Sequence, residues 1–199
     1  ALYRLGADTL VLDDGFQYWR LLKDLEIVLI DALEPLAEAR LFPRGRLREP
    51  VSHLRRAHAF WLTHADLACP QAVAKLRTQL ETVAPGRPIR EVVHRPVSLR
   101  ELVSGAELPL TMLAGRRVAA LSAVGSPATF ERTLARSGAA EVRGLRFRDH
   151  HQYTPSDLSR IAAAMAWGAE ALVTTEKAAV RLPRAGLGLP CWVLGVELA

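Results

Sequence analysis

No G-x-x-x-x-G-K-[ST] run occurs anywhere in the 199 residues, so the stretch does not itself contain the glycine-rich loop that cradles nucleotide phosphates. Cysteine is scarce as well. The two present, Cys69 and Cys191, lie far apart and form no C-x-x-C pair, which argues against a disulfide framework and for packing roles in a reducing compartment. No apolar run approaches the roughly eighteen residues of a membrane span, and no signal peptide opens the chain, so a cytoplasmic or peripheral protein is expected. Internal repeats and low-complexity tracts are also missing. The chain opens at Ala1 without a methionine, in a stretch that reads like the end of a helix already under way, and is expected to be a piece of a longer protein.

What is present is an ordinary globular composition, 50% hydrophobic and 24% charged, long enough for one large domain or two small ones. The formal net charge of +5 points to an anionic partner without separating nucleic acid, lipid surface and phosphorylated substrate. Placement says more. Between Arg40 and Arg56, the arginines Arg40, Arg44, Arg46, Arg48, Arg55 and Arg56 are opposed only by Glu49. Such a segment is either a solvated basic face or a surface that clamps phosphate or anionic lipid, which arginine does bidentately.

Short β-branched runs alternate with helix-period segments, the pattern of a parallel α/β sheet. Strands are expected near Thr9–Leu12, Glu26–Ile30, Ala59–Thr63, Ile89–His94, Arg117–Leu121, Glu141–Phe147, Ala171–Thr174 and Cys191–Leu194. Helices are expected over Pro70–Val83, Pro127–Ser137, Pro155–Trp167 and Glu176–Leu182, with Ser126 and Thr154 each placing a capping hydroxyl before a first-turn proline. Asp157, three residues after Thr154, supports the helix dipole. The weakly periodic stretch 96–115, with Pro96, Gly105, Pro109 and Gly115, reads as a linker between residues 1–95, half of a larger domain, and a small α/β domain over 116–199.

The apolar run Thr9-Leu10-Val11-Leu12 leads directly into Asp13-Asp14-Gly15. A buried parallel strand delivers the residues after it to the carboxyl edge of its sheet, where open α/β folds bind ligands. Asp13 and Asp14 then stand where a phosphate-bound Mg²⁺ is held in nucleotide-binding folds, unless they are simply turn residues. Phe16, Tyr18 and Trp19 beside them are core aromatics or a base-stacking platform. In Asp149-His150-His151-Gln152-Tyr153 the histidines are structural or serve acid/base chemistry with an adjacent carboxylate; His53, His58, His64 and His94 are too scattered to complete a metal site. Lys177, between a strand and a helix, is a solvated lysine or a phosphate contact.

Three segments of the first half, Asp13-Asp14-Gly15-Phe16-Gln17-Tyr18, Leu25 to Ala32 and Arg40 to Pro50, resemble in order the tetraacyldisaccharide 4′-kinase (lipid A 4′-kinase) family. So do Phe147 to Tyr153 and Thr174 to Leu182 in the second half. The resemblance implies a P-loop-kinase-like α/β/α fold, with part of a larger amino-terminal domain followed by a smaller carboxyl-terminal α/β domain and the active site between them. It also implies ATP and Mg²⁺ as cofactors, a lipid A disaccharide precursor as acceptor, and a peripheral position at the cytoplasmic face of the inner membrane. Carried over by position, Asp13 and Asp14 are the metal-site carboxylates, and His150, with Asp149 beside it, assists an upstream aspartate in activating the acceptor hydroxyl. Gln17, Arg48, Glu49 and Lys177 are expected as substrate or nucleotide contacts, and Arg40, Arg44 and Arg46, from the local charge, as the anionic-surface contact.

The family's Walker A loop and catalytic aspartate would lie upstream of Ala1, and an amino-terminal P-loop segment is therefore an expected partner. Tyr18 replaces the usual histidine, Ala37-Glu38-Ala39 a Gly-x-Gly, and Ala178 an aspartate. A non-catalytic anion- or membrane-surface-binding module is the alternative. A nucleic-acid-binding domain ranks last, because the arginines lack a recognition helix or RNA-binding motif, and no nucleic-acid partner is expected.

Overall fold

The computed structural model describes residues 6–34, 36, 40–45, 47–148 and 151–199, which fall into two compact units, Ala1–Val93 and His94–Ala199. In the first, β1 (Ile27–Asp31), β2 (Ala59–Thr63) and β3 (Ile89–Val92) form a parallel sheet in chain order, in register from Ile27 beside Ala59 to Asp31 beside Thr63. Helix α1 (Pro70–Val83) makes the β2-to-β3 crossover. Pro70 suits its first turn, and Val73, Leu76 and Leu80 recur at helical spacing to bury one stripe against Phe60 and Leu62. Each such side chain removed from water contributes about 1.5–3 kcal/mol. Leu29 of β1 is 59% exposed, so this parallel sheet is not covered as the two-sided burial of such sheets requires.

Thr9–Leu12 is not a strand, contrary to expectation, and Val11 is 87% exposed. Apolar residues settle into a strand only where a neighbour supplies backbone partners and a face to pack on. Among the described residues none does so here. Asp13 and Asp14 consequently come after an unpaired segment.

The second unit is a six-stranded sheet ordered β5-β4-β9-β8-β6-β7. Its strands are β4 (His94–Glu101), β5 (Glu107–Leu108), β6 (Arg117–Ser122), β7 (Glu141–Arg146), β8 (Ala171–Thr175) and β9 (Cys191–Leu198). The last four are mutually parallel, whereas β4 runs antiparallel to β9 and to β5. The expected alternation from residue 116 is therefore present. Helix α2 (Pro127–Arg136) sends Phe130 and Leu134 onto the face shared by Val118, Ala120 and Val173. On the opposite face, Ile161 of α3 (Pro155–Ala162) packs with Ala119, Leu121 and Leu172. The chain leaves β6 for β7 on one side and returns to β8 on the other, so the carboxyl ends of β6 and β8 form a topological switch point.

The expected linker is structured, and the division falls at Val93/His94. Pro96 and a register shift between Pro96 and Ser98 hide the alternation of β4 in the sequence, yet Leu99 and Leu102 are buried and β4 pairs with β9 along its length. The run expected as one strand over Ile89–His94 is split between β3 and β4. The long helix expected to Trp167 is α3 followed by a 3-10 turn, Ala163–Trp167, ended by Gly168 at φ 85°. Helix α4 (Glu176–Ala179) is likewise shorter than expected, its continuation tightening into i→i+3 turns at Arg181 and Leu182. The Ser126 hydroxyl makes no capping bond.

Candidate functional site

In the first unit, Asp13 and Asp14 sit in a turn, with Asp14 at φ 53°, a left-handed conformation that aspartate tolerates better than most residues. Lys23 Nζ donates to the Gly15 carbonyl at 2.8 Å and so ties down the turn's exit. Arg48 Nη1 meets Asp14 Oδ2 at 2.6 Å, which brings two of the expected site residues together from 34 positions apart.

Glu49 is more deeply engaged than Arg48. Its Oε1 accepts from Trp19 Nε1 at 2.9 Å, while Oε2 accepts from Arg56 Nη2 at 2.9 Å and lies 3.0 Å from His53 Nδ1. Burial pushes the Glu49 pKa up, but the three hydrogen-bonding partners together outweigh it and hold the carboxyl below its ordinary value. The Arg56 guanidinium also covers Phe16 at 4.4 Å and Trp19 at 5.1 Å and donates to the Phe16 carbonyl. Trp19, His53 and Arg56 were not expected as members of this cluster. The legible signal was the spacing of Glu49, His53 and Arg56, which places them on one side of the 3-10 helix Val51–Arg56 and the residues just before it. Gln17 Oε1 is buried with no hydrogen-bond partner among the described residues.

Arg40 and Arg44 lie in a closed loop in which Phe42 N donates to the Leu47 carbonyl and Leu47 N to the Arg40 carbonyl. A Cβ on Gly45 would stand 2.2 Å from the Arg40 carbonyl oxygen, so only glycine fits there. Phe42, between the two arginines, is 81% exposed. Arg46 lies outside the described residues.

A further hydrogen-bonded pair, also unexpected, occupies the carboxyl edge of the three-stranded sheet. His64 Nδ1 lies 3.0 Å from Asp31 Oδ1, and that hydrogen bond raises the His64 pKa. Asp31 ends β1 and His64, at φ 56°, comes directly after β2, so strand register brings them together.

In the second unit, Asp149 and His150 lie outside the described residues. Their neighbours are tightly held. Phe147 N donates to the Ser122 carbonyl at 2.8 Å, and His151 N donates to the Arg148 carbonyl at 3.1 Å. The His151 ring stacks on Phe147 with centroids 4.9 Å apart and meets Tyr153 edge-on at 5.2 Å, and its Nε2 lies 2.8 Å from Asp157 Oδ2. That same oxygen accepts from Thr154 N and Thr154 Oγ1, and Asp157 N donates back to Thr154 Oγ1 at 3.4 Å, completing a capping box in which aspartate takes the place of the usual Glu or Gln. At the switch point, Ser122 Oγ and Thr174 Oγ1 are buried without partners among the described residues. Lys177 lies exposed in α4, directly after the carboxyl end of β8.

The Thr154 amide, followed by His151, holds the Asp157 carboxyl down at about 2. A carboxyl depressed on folding contributes stability that is present above its unfolded pKa, near 4, and is lost as pH falls toward 2. The thermal midpoint of Asp157→Asn is therefore expected to vary less between pH 4 and 2 than that of the unaltered chain. Parallel curves for the two proteins would contradict the assignment.

The tetraacyldisaccharide-1-P 4′-kinase family model matches residues 1–199. The chain belongs to that family. Among curated tetraacyldisaccharide 4′-kinases it is 46% identical over 183 residues to one from Anaeromyxobacter dehalogenans strain 2CP-C, covering 92% of this chain and 48% of the relative. It is 38% identical to one from Syntrophus aciditrophicus, covering 100% of this chain and 55% of the relative. The crystal structure of LpxK from Aquifex aeolicus in complex with ATP superimposes with a TM-score of 0.63 at 27% identity, over all of this chain and 55% of that one. The chain thus spans about half the length of these family members.

Proposed function

We propose that this chain carries the metal-holding and acceptor-activating portions of a P-loop kinase. The reaction is transfer of the γ-phosphoryl group of ATP to the 4′-hydroxyl of a tetraacylated glucosamine disaccharide 1-phosphate in lipid A biosynthesis. The observation that carries this reading is the convergence of Asp14, Phe16 and Trp19 with Arg48, Glu49 and Arg56 in one cluster of a family member. Asp13 and Asp14 offer hard carboxylate oxygens on an exposed turn, which suits Mg²⁺, a cation that keeps several waters and takes one or two protein carboxylates. When bound, the metal neutralises charge on the phosphates. Arg48, paired with Asp14, supplies a guanidinium beside the same carboxylate. Glu49, with both oxygens engaged, holds Trp19 and Arg56 in place. His150, with Asp149, assists removal of the acceptor proton, and Lys177 contacts phosphate.

The phosphate loop and catalytic aspartate come from an upstream half, and the exposed Leu10, Val11 and Leu29 are covered by it. The protein works at the cytoplasmic face of the inner membrane, where Phe42 enters the lipid interface and Arg40, Arg44 and Arg46 meet anionic headgroups. The test pairs the 199-residue chain with the full-length protein. Only the full-length protein is expected to phosphorylate the disaccharide with Mg·ATP, because nothing in this stretch replaces the backbone N–H groups and lysine of the phosphate loop. Both are expected to sediment with phosphatidylglycerol vesicles, less so after Arg40, Arg44 and Arg46 are changed to Ser. Turnover by the chain alone would refute the split-site reading. Vesicle binding by a full-length protein without kinase activity would favour the anion-binding module.

A further inference from the structure

We infer that Lys23 is a positioning residue for the Asp13 and Asp14 carboxylates, its ammonium fixing the carbonyl of Gly15, directly after them, to the start of β1. The inference rests on the metal-site reading of those two aspartates. The lysine is used against its ordinary preference. An ammonium is strongly hydrated and normally stays in water, yet between the exposed Leu22 and Leu25 it is Lys23 that turns inward, with its side chain only 14% exposed. Withdrawal of that charge is tolerated only where an opposite charge and hydrogen-bond acceptors meet it. Both are supplied. Nζ donates to the Gly15 carbonyl at 2.8 Å and pairs with Glu26 Oε1, on a side chain 13% exposed. Glu26 is pinned in turn by its backbone. Its amide donates to His58 Nδ1 at 2.9 Å, and its carbonyl accepts from His58 N at 2.8 Å and Ala59 N at 3.3 Å. The residues that open β1 and β2 thus form a fixed base, and Lys23 extends that base to the turn.

The turn needs that support. Asp14 sits at φ 53°, and a Cβ on Gly15 would stand 2.9 Å from the Leu12 Cβ, so the chain is tightly folded there. The run Thr9–Leu12 before it is unpaired among the described residues, so no strand ladder holds the turn from that side. On the other side the Gly15 carbonyl accepts from Tyr18 N at 3.1 Å as well as from Lys23. The Arg48–Asp14 pair is exposed and screened by solvent, whereas the Lys23 contact lies largely out of water and keeps its strength. Mg²⁺ demands near-ideal octahedral geometry, so its affinity depends on where the carboxylates are held. Partners that orient metal ligands without touching the metal are typically worth roughly 10- to 100-fold in affinity.

The experiment measures Mn²⁺ affinity of the full-length protein by electron paramagnetic resonance of the free ion, with a non-hydrolysable ATP analogue present. The Mg²⁺ dependence of turnover and the thermal midpoint are recorded on the same preparations. Lys23→Met is expected to weaken Mn²⁺ binding roughly 10- to 100-fold and to raise the Mg²⁺ needed for half-maximal turnover in proportion, with kcat at saturating Mg²⁺ far less affected. Lys23→Arg, which keeps a cationic donor for the Gly15 carbonyl, should recover most of the affinity. Lys23→Met combined with Glu26→Leu removes the carboxylate left without its partner, so the thermal midpoint should return toward that of the unaltered protein while Mn²⁺ affinity stays low. With Asp13 and Asp14 both changed to Asn, Lys23→Met should add little, because the groups through which it acts are gone. A Mn²⁺ affinity for Lys23→Met within about twofold of the unaltered protein would overturn the inference. Fully additive losses, or an affinity that recovers together with the midpoint when Glu26→Leu is added, would overturn it too, leaving only a structural lysine. Unchanged Mn²⁺ affinity in both Asp13→Asn and Asp14→Asn would instead refute the metal-site reading and the inference with it, an outcome that shows in variants whose Lys23 is intact.

Discussion

Replacing His150 with alanine in the full-length kinase is expected to lower kcat by roughly 10²- to 10⁴-fold, the usual contribution of a positioned acid/base group. The chemical case is that imidazole titrates near neutrality and can take up the proton of a hydroxyl while a carboxylate stabilises the imidazolium. The structural case comes from its neighbours. Phe147 and His151, which flank Arg148-Asp149-His150 in the sequence, are held by backbone bonds, ring stacking and the Asp157 carboxylate. An acid/base role predicts a loss of rate without a loss of fold, so the thermal midpoint of His150→Ala is expected to stay close to that of the unaltered protein. Steady-state kinetics with a melting curve on the same preparation checks both halves of the expectation. A kcat within about threefold, or a loss that tracks unfolding, would return His150 to a structural role.

Asp13→Asn and Asp14→Asn are each expected to reduce turnover on the order of 10²-fold at limiting Mg²⁺, since a neutral amide is a poorer ligand for a hard cation and metal stabilisation of phosphoryl charge amounts to several kcal/mol. The two variants should differ in a second respect. Only Asp14 is paired with Arg48, and at 63% exposure for both side chains that pair is well screened by solvent, so its loss should scarcely move the thermal midpoint. Raising Mg²⁺ should restore part of the activity of each variant. If both variants turn over like the unaltered enzyme across a Mg²⁺ series, Asp13 and Asp14 are turn residues only.

Much of the second unit was legible in the sequence because its signals are local. Val118 to Leu121 and Ala171 to Val173 are short apolar runs of the kind a two-sided parallel sheet buries, and Thr154-Pro155 marks the start of α3 as expected. The capping box was only half visible, since Asp157 is shorter than the Glu or Gln of the usual pattern, yet its carboxylate still reaches the Thr154 amide. Two errors have one cause. Thr9–Leu12 has the composition of a strand without a partner among the described residues, and β4 has a partner without an obvious pattern, because strand formation depends on what lies alongside as much as on the residues themselves.

The candidate site divides the same way. Sequence alone determined the family, through the order of its motif segments, and with it the choice of Asp13, Asp14, Arg48, Glu49 and His150 with Asp149 as candidate site residues. It could not assign partners. That Glu49 takes Trp19, His53 and Arg56, that Asp14 takes Arg48, that Asp31 meets His64, and that His151 is committed to Asp157 were decided only by the tertiary structure. Hydrogen bonds and ring contacts act over a few ångströms, and residues separated by 30 or more positions come within that range only after the strands have chosen their neighbours and register.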